Sequence, residues 1–317
     1  MAKYIKVSTI GTPYVKVDTS VPFPETWEIM KQHLTREVNQ VLPDKPDLIV
    51  LPEVVDIPDH YPKTNEFVDF RGDGNIEFFG NIARQNNCNI SFSTIMRGKG
   101  DYYTNTTCVL HRDGSVAGLY DKYYVVPTEY DKNIRCGTKT PLIPLDFGNV
   151  ACAICFDLNF EDLRDSYKDP RPDLIIFSSM YHGGIKQQMW AQTCKTYFVG
   201  SISHSRPSAI ISPIGEIIAG STNTTNYATA SINLDFELVH LDQLIYSDKK
   251  WAKIKAKYGA GVTIFDPGNI GYVMLSSEME GVTAADVLKE FELETYGEYM
   301  RRSVRIHNMP EKQGEHR

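Results

Sequence analysis

The chain has 317 residues, 42% of them hydrophobic and 23% charged, a composition that excludes a disordered or fibrous protein. Its net charge of -7 argues against a nucleic-acid-binding surface, and no segment approaches the length of a membrane span. The six cysteines are scattered through apolar segments, which indicates free thiols rather than a disulfide framework. Because the N-terminus also has no apolar signal-peptide core, we expect a cytoplasmic protein.

The first part of the chain alternates strands and helices. Residues 4–10 predict a strand, and residues 25–42 predict an amphipathic helix because their apolar side chains recur on one face. Residues 47–51 predict a short buried strand, which brings Glu53 to its C-terminal end. In open α/β folds, sites are built at this end of the strands. The polar and aromatic segment 56–73 is long enough to be a lid or a substrate loop.

A helix and three strands follow, predicted at residues 76–84, 88–95, 102–110 and 116–120. The sequence Arg112-Asp113-Gly114-Ser115 is typical of a hairpin turn, so we expect the last two strands to pair antiparallel. The second of them ends just before Lys122. The segment 123–137 then predicts an irregular loop that carries Glu129.

The apolar run at residues 150–154 predicts a buried strand that stops at Cys155. A helix predicted at residues 160–167 follows, with Glu161 and Asp162 in its acidic first turn. A thiol at such a junction lies near a helix N-terminus, where the dipole and free N–H groups favour thiolate and can stabilise an oxyanion. Taken alone, however, Cys155 is more simply explained as a buried core residue.

The remaining chain predicts further short elements and then a change of character. Strands and one helix are predicted at residues 173–178, 184–196, 198–203, 209–211, 216–219 and 228–234. In each half of this region the predicted helices lie outside a predicted sheet. This pattern indicates a layered α/β sandwich. We interpret residues 1–235 as one domain. Residues 236–317, with helices predicted at 248–258 and 283–293, are interpreted as a C-terminal extension that packs on the core or on a partner subunit.

Three predicted strands end in residues that are capable of catalysis, Glu53, Lys122 and Cys155. A cysteine that attacks a carbonyl needs its proton removed, the oxyanion stabilised and a proton delivered to the leaving nitrogen. A carboxylate and an ammonium supply all three. Each residue also has a structural explanation of its own, as a cap, a solvated strand end and a core thiol.

These residues resemble the nitrilase superfamily of carbon-nitrogen hydrolases, whose members carry a Glu-Lys-Cys triad in this order. The resemblance covers roughly residues 1–235 and implies a four-layer αββα sandwich. The matching positions lie in residues 47–53, 113–122 and 154–160, with Asn105 and residues 212–216 in addition. Two departures leave the subfamily open. Phe160-Glu161-Asp162 lacks the usual proline, and Gln192-Thr193-Cys194-Lys195 replaces an Arg-Ala-x-Glu-Asn pattern.

The resemblance also implies a role for each residue. Cys155 is the nucleophile, Glu53 the general base and acid, and Lys122 the oxyanion stabiliser. Glu129 matches a second glutamate that positions the substrate or the triad. The backbone N–H of Phe156 is a further donor to the oxyanion.

The activity implied is amide hydrolysis through a thioester, with release of ammonia or an amine. The chain has Cys-Phe-Asp, closer to amidases and N-carbamoyl hydrolases than the Cys-Trp-Glu of nitrilases. Conversion of a nitrile and a catalytically silent assembly role remain alternatives. We expect a small amide-type substrate, no cofactor, and a homo-oligomer, which is usual in this family.

Two other interpretations rest on single motifs. Cys152-Ala153-Ile154-Cys155 matches a redox or half-zinc motif, but Cys152 lies within an apolar strand and no second pair completes a metal site. His182 and His204 raise a Cys-His hydrolase. His182 is better explained at the pocket mouth, and we expect Phe156, Tyr181 and His182 to contact substrate, together with residues 56–73 and 129–135.

Overall fold

The computed structural model of the chain describes residues 2–203, 207–245 and 249–309. It divides into two compact units. One is Ile5–Ile232, and the other combines the described parts of Met1–Tyr4 and Asn233–Arg317. Within the described ranges, no helix has the length and apolar character needed to cross a membrane.

The strands and helices are numbered in chain order. The strands are β1 (Tyr4–Ile10), β2 (Leu48–Val50), β3 (Asn89–Arg97), β4 (Tyr103–Leu110), β5 (Val116–Asp121), β6 (Ile143–Leu145), β7 (Gly148–Ile154), β8 (Leu174–Ser179), β9 (Tyr197–Ile202), β10 (Ala209–Ile211), β11 (Ile217–Gly220), β12 (Tyr227–Asn233), β13 (Phe236–His240), β14 (Val262–Phe265) and β15 (Tyr272–Ser277). The helices are α1 (Phe23–Asn39), α2 (Thr64–Arg71), α3 (Gly74–Asn86), α4 (Pro127–Asp131), α5 (Glu161–Ser166), α6 (Lys186–Cys194), α7 (Asp242–Ile245), α8 (Lys250–Tyr258), α9 (Ala284–Glu290) and α10 (Tyr296–His307).

Two six-stranded sheets form the centre of the first unit. Their strand orders are β12-β1-β2-β3-β4-β5 and β11-β10-β9-β8-β7-β6. Strands β1, β2 and β3 are parallel, as are β7, β8 and β9, whereas β3-β4-β5 runs antiparallel. The antiparallel pairing of β4 with β5 is therefore confirmed. Gly114 has φ +82 in the connecting turn, a conformation that favours glycine.

The two sheets pack face to face, with helices on their outer sides. Buried hydroxyl groups link the sheets, since Thr9 Oγ1 donates to the Gly200 carbonyl at 2.9 Å and Ser178 Oγ to the Leu51 carbonyl at 2.9 Å. Helices α1 and α3 cover the first sheet through an apolar cluster that includes Leu34 and Phe79. Helices α5 and α6 cover the second sheet through a separate cluster, which includes Leu163, Trp190 and Ala191. The predicted four-layer αββα sandwich is confirmed.

Two predicted loops contain helices. Residues 56–73 include α2, because Phe67 and Val68 bury their side chains in a cluster with Ile57 and Ile95. The segment 123–137 includes the short helix α4, which begins at Pro127, a residue suited to the first turn of a helix. Helix α4 carries Glu129, and the first residues of α2 line the same cavity as the predicted triad.

The second unit contains strands that the sequence pattern did not reveal. Strands β13, β15 and β14 form an antiparallel sheet. The helix predicted at residues 283–293 is shorter in the structure and is followed by α10. The side chains of Thr283 and Thr295 cap α9 and α10 in turn, each in a capping box with an acidic residue three positions later. These two capping boxes were the sequence pattern that could have separated the helices.

Candidate active site

Three strands bring the predicted triad together. Glu53 lies three residues beyond β2, Lys122 directly follows β5, and Cys155 directly follows β7. The first two strands belong to one sheet and β7 to the other. Glu53 and Lys122 are buried, and Cys155 is partly exposed. The site is therefore built where the ends of strands from both sheets meet.

Lys122 is held between two carboxylates. Its Nζ donates to Glu53 Oε1 at 3.0 Å, and to Glu129 Oε1 and Oε2 at 3.0 and 2.8 Å. An ammonium has three N–H donors, so these contacts occupy its full capacity. Burial lowers the pKa of Lys122, but the neighbouring carboxylates of Glu53 and Glu129 outweigh burial and raise that pKa above its usual value. Lys122 is therefore an ammonium throughout the physiological range.

Asn105 ties the two glutamates together. Its Nδ2 donates to Glu53 Oε1 at 2.8 Å and to Glu129 Oε1 at 2.9 Å, and its Oδ1 accepts from Ser93 Oγ at 3.0 Å. The backbone N–H of Met180 donates to Glu53 Oε2 at 3.0 Å. Both oxygens of the predicted base are thus oriented by hydrogen bonds. The sequence indicated Asn105 only as a matching position and gave it no role.

The Cys155 thiol is protonated in this arrangement. Burial and the negative charge of Glu53 raise the pKa of the thiol to about 12, although Lys122 acts in the opposite direction. The expectation that the strand-helix junction favours thiolate is wrong. Cys155 opens only a five-residue 3-10 helix, Cys155–Asn159, whose small dipole does not offset desolvation. A base must therefore take the proton, and Glu53 is the carboxylate that raises this pKa.

The four residues Glu53, Lys122, Glu129 and Cys155 line one cavity of about 730 Å³. Much of its wall is apolar and comes from several loops, the helix α1 and the strand β3. The apolar and aromatic lining residues are Pro13, Tyr14, Val15, Met30, Val54, Val55, Ile57, Pro58, Tyr61, Pro62, Ile95, Val126, Ile134 and Met180. Exposed polar side chains also line it, among them His60, Glu66 and Lys132. Such a cavity suits a small organic molecule.

Comparison with known proteins identifies the family. The model of the carbon-nitrogen hydrolase family matches residues 20–237. The chain belongs to the carbon-nitrogen hydrolase family. The predicted resemblance to the nitrilase superfamily is thereby confirmed.

Individual relatives are distant in sequence. The chain is 22% identical over 241 residues to the chloroplastic omega-amidase of Arabidopsis thaliana, covering 67% of this chain and 64% of that relative. Nit3 of Saccharomyces cerevisiae, a nitrilase-superfamily member, has a similar structure with a TM-score of 0.61 and 18% identity, covering 73% of this chain and 90% of the yeast chain. An amidase from Nesterenkonia sp. gives a TM-score of 0.61 and 13% identity, over 73% and 91% of the two chains.

The three predicted substrate-binding residues of this carbon-nitrogen hydrolase do not line the cavity. Phe156 packs edge-on against Phe160 with ring centroids 5.1 Å apart. Tyr181 OH donates to Asn159 Oδ1 at 3.5 Å, and burial raises the pKa of Tyr181. His182 Nδ1 accepts from the Gly184 N–H at 3.1 Å. Their contact with substrate stays a prediction.

The alternative motifs occupy other places. Cys152 is fully buried within β7, and its carbonyl accepts from Tyr167 OH at 2.8 Å. In residues 2–203, 207–245 and 249–309, no group of three or more histidine, cysteine or acidic side chains is placed to hold a metal ion. His204, raised as a possible base, lies outside the described residues.

Sequence reasoning missed the part of the cavity wall that comes from α1. Met30 and His33 are buried on this helix and line the cavity. Burial lowers the pKa of His33, so its imidazole is neutral at physiological pH. A histidine among the apolar positions of an amphipathic helix was the available indication.

Proposed function

We propose that this carbon-nitrogen hydrolase is a thiol amidohydrolase that cleaves a small amide or N-carbamoyl compound. The observation that carries this proposal is the buried Lys122 ammonium, held between Glu53 and Glu129 in the cavity that Cys155 also lines. This arrangement supplies a nucleophile, a carboxylate base and a fixed positive charge around one small space.

The reaction begins with proton transfer from the Cys155 thiol to Glu53. The thiolate attacks the substrate carbonyl carbon. Protonation of Glu53 weakens its bond to the Lys122 ammonium, so Lys122 can turn one N–H toward the resulting oxyanion and stabilise it together with the Phe156 N–H. Glu53 then gives the proton to the leaving nitrogen, so the C–N bond breaks and ammonia or an amine departs. A thioester on Cys155 remains.

Water completes the turnover. Glu53, again ionised, takes a proton from a water molecule whose oxygen attacks the thioester carbonyl. Collapse of this second oxyanion expels the Cys155 sulfur, which receives the proton back from Glu53. Glu129 does not exchange protons in this scheme; it holds Lys122 through both of its oxygens.

An amide is preferred over a nitrile as the substrate. The Cys-Phe-Asp motif supports this choice, and so does the similarity of the chain to an omega-amidase and to an amidase. The apolar wall suits a substrate whose acyl group is short and carries little charge near the reacting carbon. Nitrile conversion and a catalytically silent assembly role are outcomes that the experiment below distinguishes.

The test is intact-protein mass spectrometry after brief exposure to panels of amides, N-carbamoyl amino acids and nitriles. We expect an acyl adduct on Cys155 from an amide or carbamoyl compound, with release of ammonia or an amine. The Cys155→Ala variant should form no adduct, whereas Cys136→Ala, which changes an exposed cysteine, should behave as the unmodified protein. Adducts from nitriles alone would favour the nitrilase alternative, and no adduct from any panel would favour the silent one.

The cytoplasmic location and the homo-oligomer belong to the same proposal. The six cysteines are free thiols, which supports a reducing compartment. Light scattering on the purified protein measures the subunit number, and a monomer at all concentrations would contradict the oligomer.

A further inference from the structure

Asp157 is a buried carboxylate that the proposed reaction does not use. It has no exposed surface and does not line the cavity. Its Oδ2 accepts from Tyr120 OH at 2.7 Å and from the Ile154 N–H at 2.9 Å, and its Oδ1 accepts from the Tyr124 N–H at 2.7 Å. Three donors therefore converge on one carboxylate that cannot touch substrate.

The three donors come from the two segments that carry the nucleophile and the lysine. Tyr120 and Tyr124 lie two residues before and two residues after Lys122. Ile154 precedes Cys155, and Asp157 itself lies two residues beyond it. One side chain thus bridges the end of β5, in the first sheet, and the turn after β7, in the second.

We propose that Asp157 is a positioning residue, which fixes the turn that carries Cys155 to the segment that carries Lys122. The inference rests on the proposed function, in which the sulfur and the ammonium act on the same carbonyl group. Removing the bridge lets the nucleophile and the oxyanion stabiliser move apart while each stays at the end of its own strand.

The backbone of Cys155 explains why such a bridge is needed. Cys155 has φ +47, in the left-handed region that residues with a Cβ rarely adopt. A residue in this conformation persists only when its surroundings fix it. The bond from the Ile154 N–H to Asp157 closes the turn around Cys155 and opposes relaxation of its backbone.

An aspartate is required because the acceptor must serve three donors. Asparagine has one carbonyl oxygen, so its amide group would face at least one of these N–H or O–H groups. With the oxygen at the Oδ2 position, the link to the Tyr124 N–H is lost. With the oxygen at the Oδ1 position, the links to Tyr120 and Ile154 are lost. Either orientation weakens the bridge.

The experiment compares Asp157→Asn and Tyr120→Phe with a matched control, Tyr167→Phe. Tyr120 and Tyr167 are both buried tyrosines with one hydroxyl bond, of 2.7 Å to Asp157 and of 2.8 Å to the Cys152 carbonyl. The control bond reaches the Cys152 carbonyl in β7, the strand that leads to Cys155, but does not join the two catalytic segments. The measured quantities are kcat and KM for an amide, the rate of Cys155 alkylation by iodoacetamide, and Tm.

We expect Asp157→Asn to lower kcat about 100-fold, because misplacement of a reacting group by about 1 Å has an effect of this size. KM should change little, and Cys155 alkylation should slow, since Glu53 no longer faces the sulfur correctly. Tyr120→Phe should lower kcat by a smaller factor, of about 10-fold. Tyr167→Phe should lower Tm as much as Tyr120→Phe does but leave kcat and alkylation unchanged.

Equal kcat and alkylation rates in Tyr120→Phe and Tyr167→Phe would overturn the inference, even if Asp157→Asn failed to fold. So would a folded Asp157→Asn that reacts as the unmodified protein does. Alkylation needs no substrate, which separates this inference from the proposed function. If no amide is hydrolysed, the function fails, while the alkylation rates still test the bridge.

Discussion

Glu129 is expected to act on the reaction only through Lys122, and Glu129→Gln tests this role. Glu129 provides two of the three contacts to the Lys122 ammonium, and its side chain is 17% exposed. The glutamine keeps the size and one acceptor oxygen. It removes the negative charge and places an amide NH₂ toward the ammonium.

The magnitude follows from the distances. Unit charges 2.8 Å apart attract by about 6 kcal/mol at an effective dielectric constant of about 20. Desolvation of the two charges offsets much of this energy, and Glu53 still pairs with Lys122. We therefore expect the substitution to weaken the interactions that hold the ammonium in position by about 2–3 kcal/mol. If the activation barrier rises by this full amount, kcat falls about 30- to 160-fold.

Ammonia release at saturating amide measures kcat, with the active fraction obtained from the amount of acylated Cys155. KM should change by less than about threefold, because an oxyanion contact is made in the transition state rather than in the ground state. Asp47→Asn is the matched control, since Asp47 pairs with Arg112 at 2.7 Å and lies outside the cavity. A Glu129→Gln protein with unchanged kcat would refute the assignment of Glu129 to Lys122.

Three further outcomes are expected. Because the pKa of the Cys155 thiol is raised to about 12, its alkylation rate in the ligand-free protein should rise continuously from pH 7 to pH 10; a plateau below pH 8 would contradict a buried thiol. The exposed Cys136 will react in parallel, so this assay uses Cys136→Ala. Lys122→Met should slow the alkylation at fixed pH, because the ammonium lowers this pKa. Arg71→Met should reduce the free energy of unfolding in urea by about 3–5 kcal/mol, since it leaves the buried Asp56 carboxylate without its ion pair; replacing Asp56 by leucine as well should restore much of the loss.

The sequence predicted the catalytic candidates because each follows an apolar run. Strands β2, β5 and β7 are short local patterns, so the residues that follow them, Glu53, Lys122 and Cys155, are recognisable without tertiary information. The four-layer arrangement was also predictable, because local periodicity identifies the helices and strands. Few layered packings can bury the apolar faces of both kinds of element. The family resemblance then assigned Glu129 a place near the triad.

Elements stabilised by distant contacts were not predictable in the same way. Helix α2 lies in a segment read as a loop, and its Phe67 is buried by residues from several parts of the chain. The sheet β13-β15-β14 joins strands that are separated by up to about 30 residues, and its short strands have no strong alternation of their own. Tertiary packing decided both.

The chemical state of the site also depends on the folded structure. The sequence placed Cys155 at a junction that favours thiolate, whereas burial beside Glu53 keeps the thiol protonated. No sequence pattern gives the desolvation of an atom, because desolvation depends on everything packed around it. The sequence by itself determined which residues are the catalytic candidates and in what order they occur. Only the tertiary structure decided how Lys122 is shared between two glutamates and which side chains line the cavity. It also decided that Asp157 joins the two sheets next to the catalytic candidates. Each of these features depends on contacts between residues that are far apart in the chain.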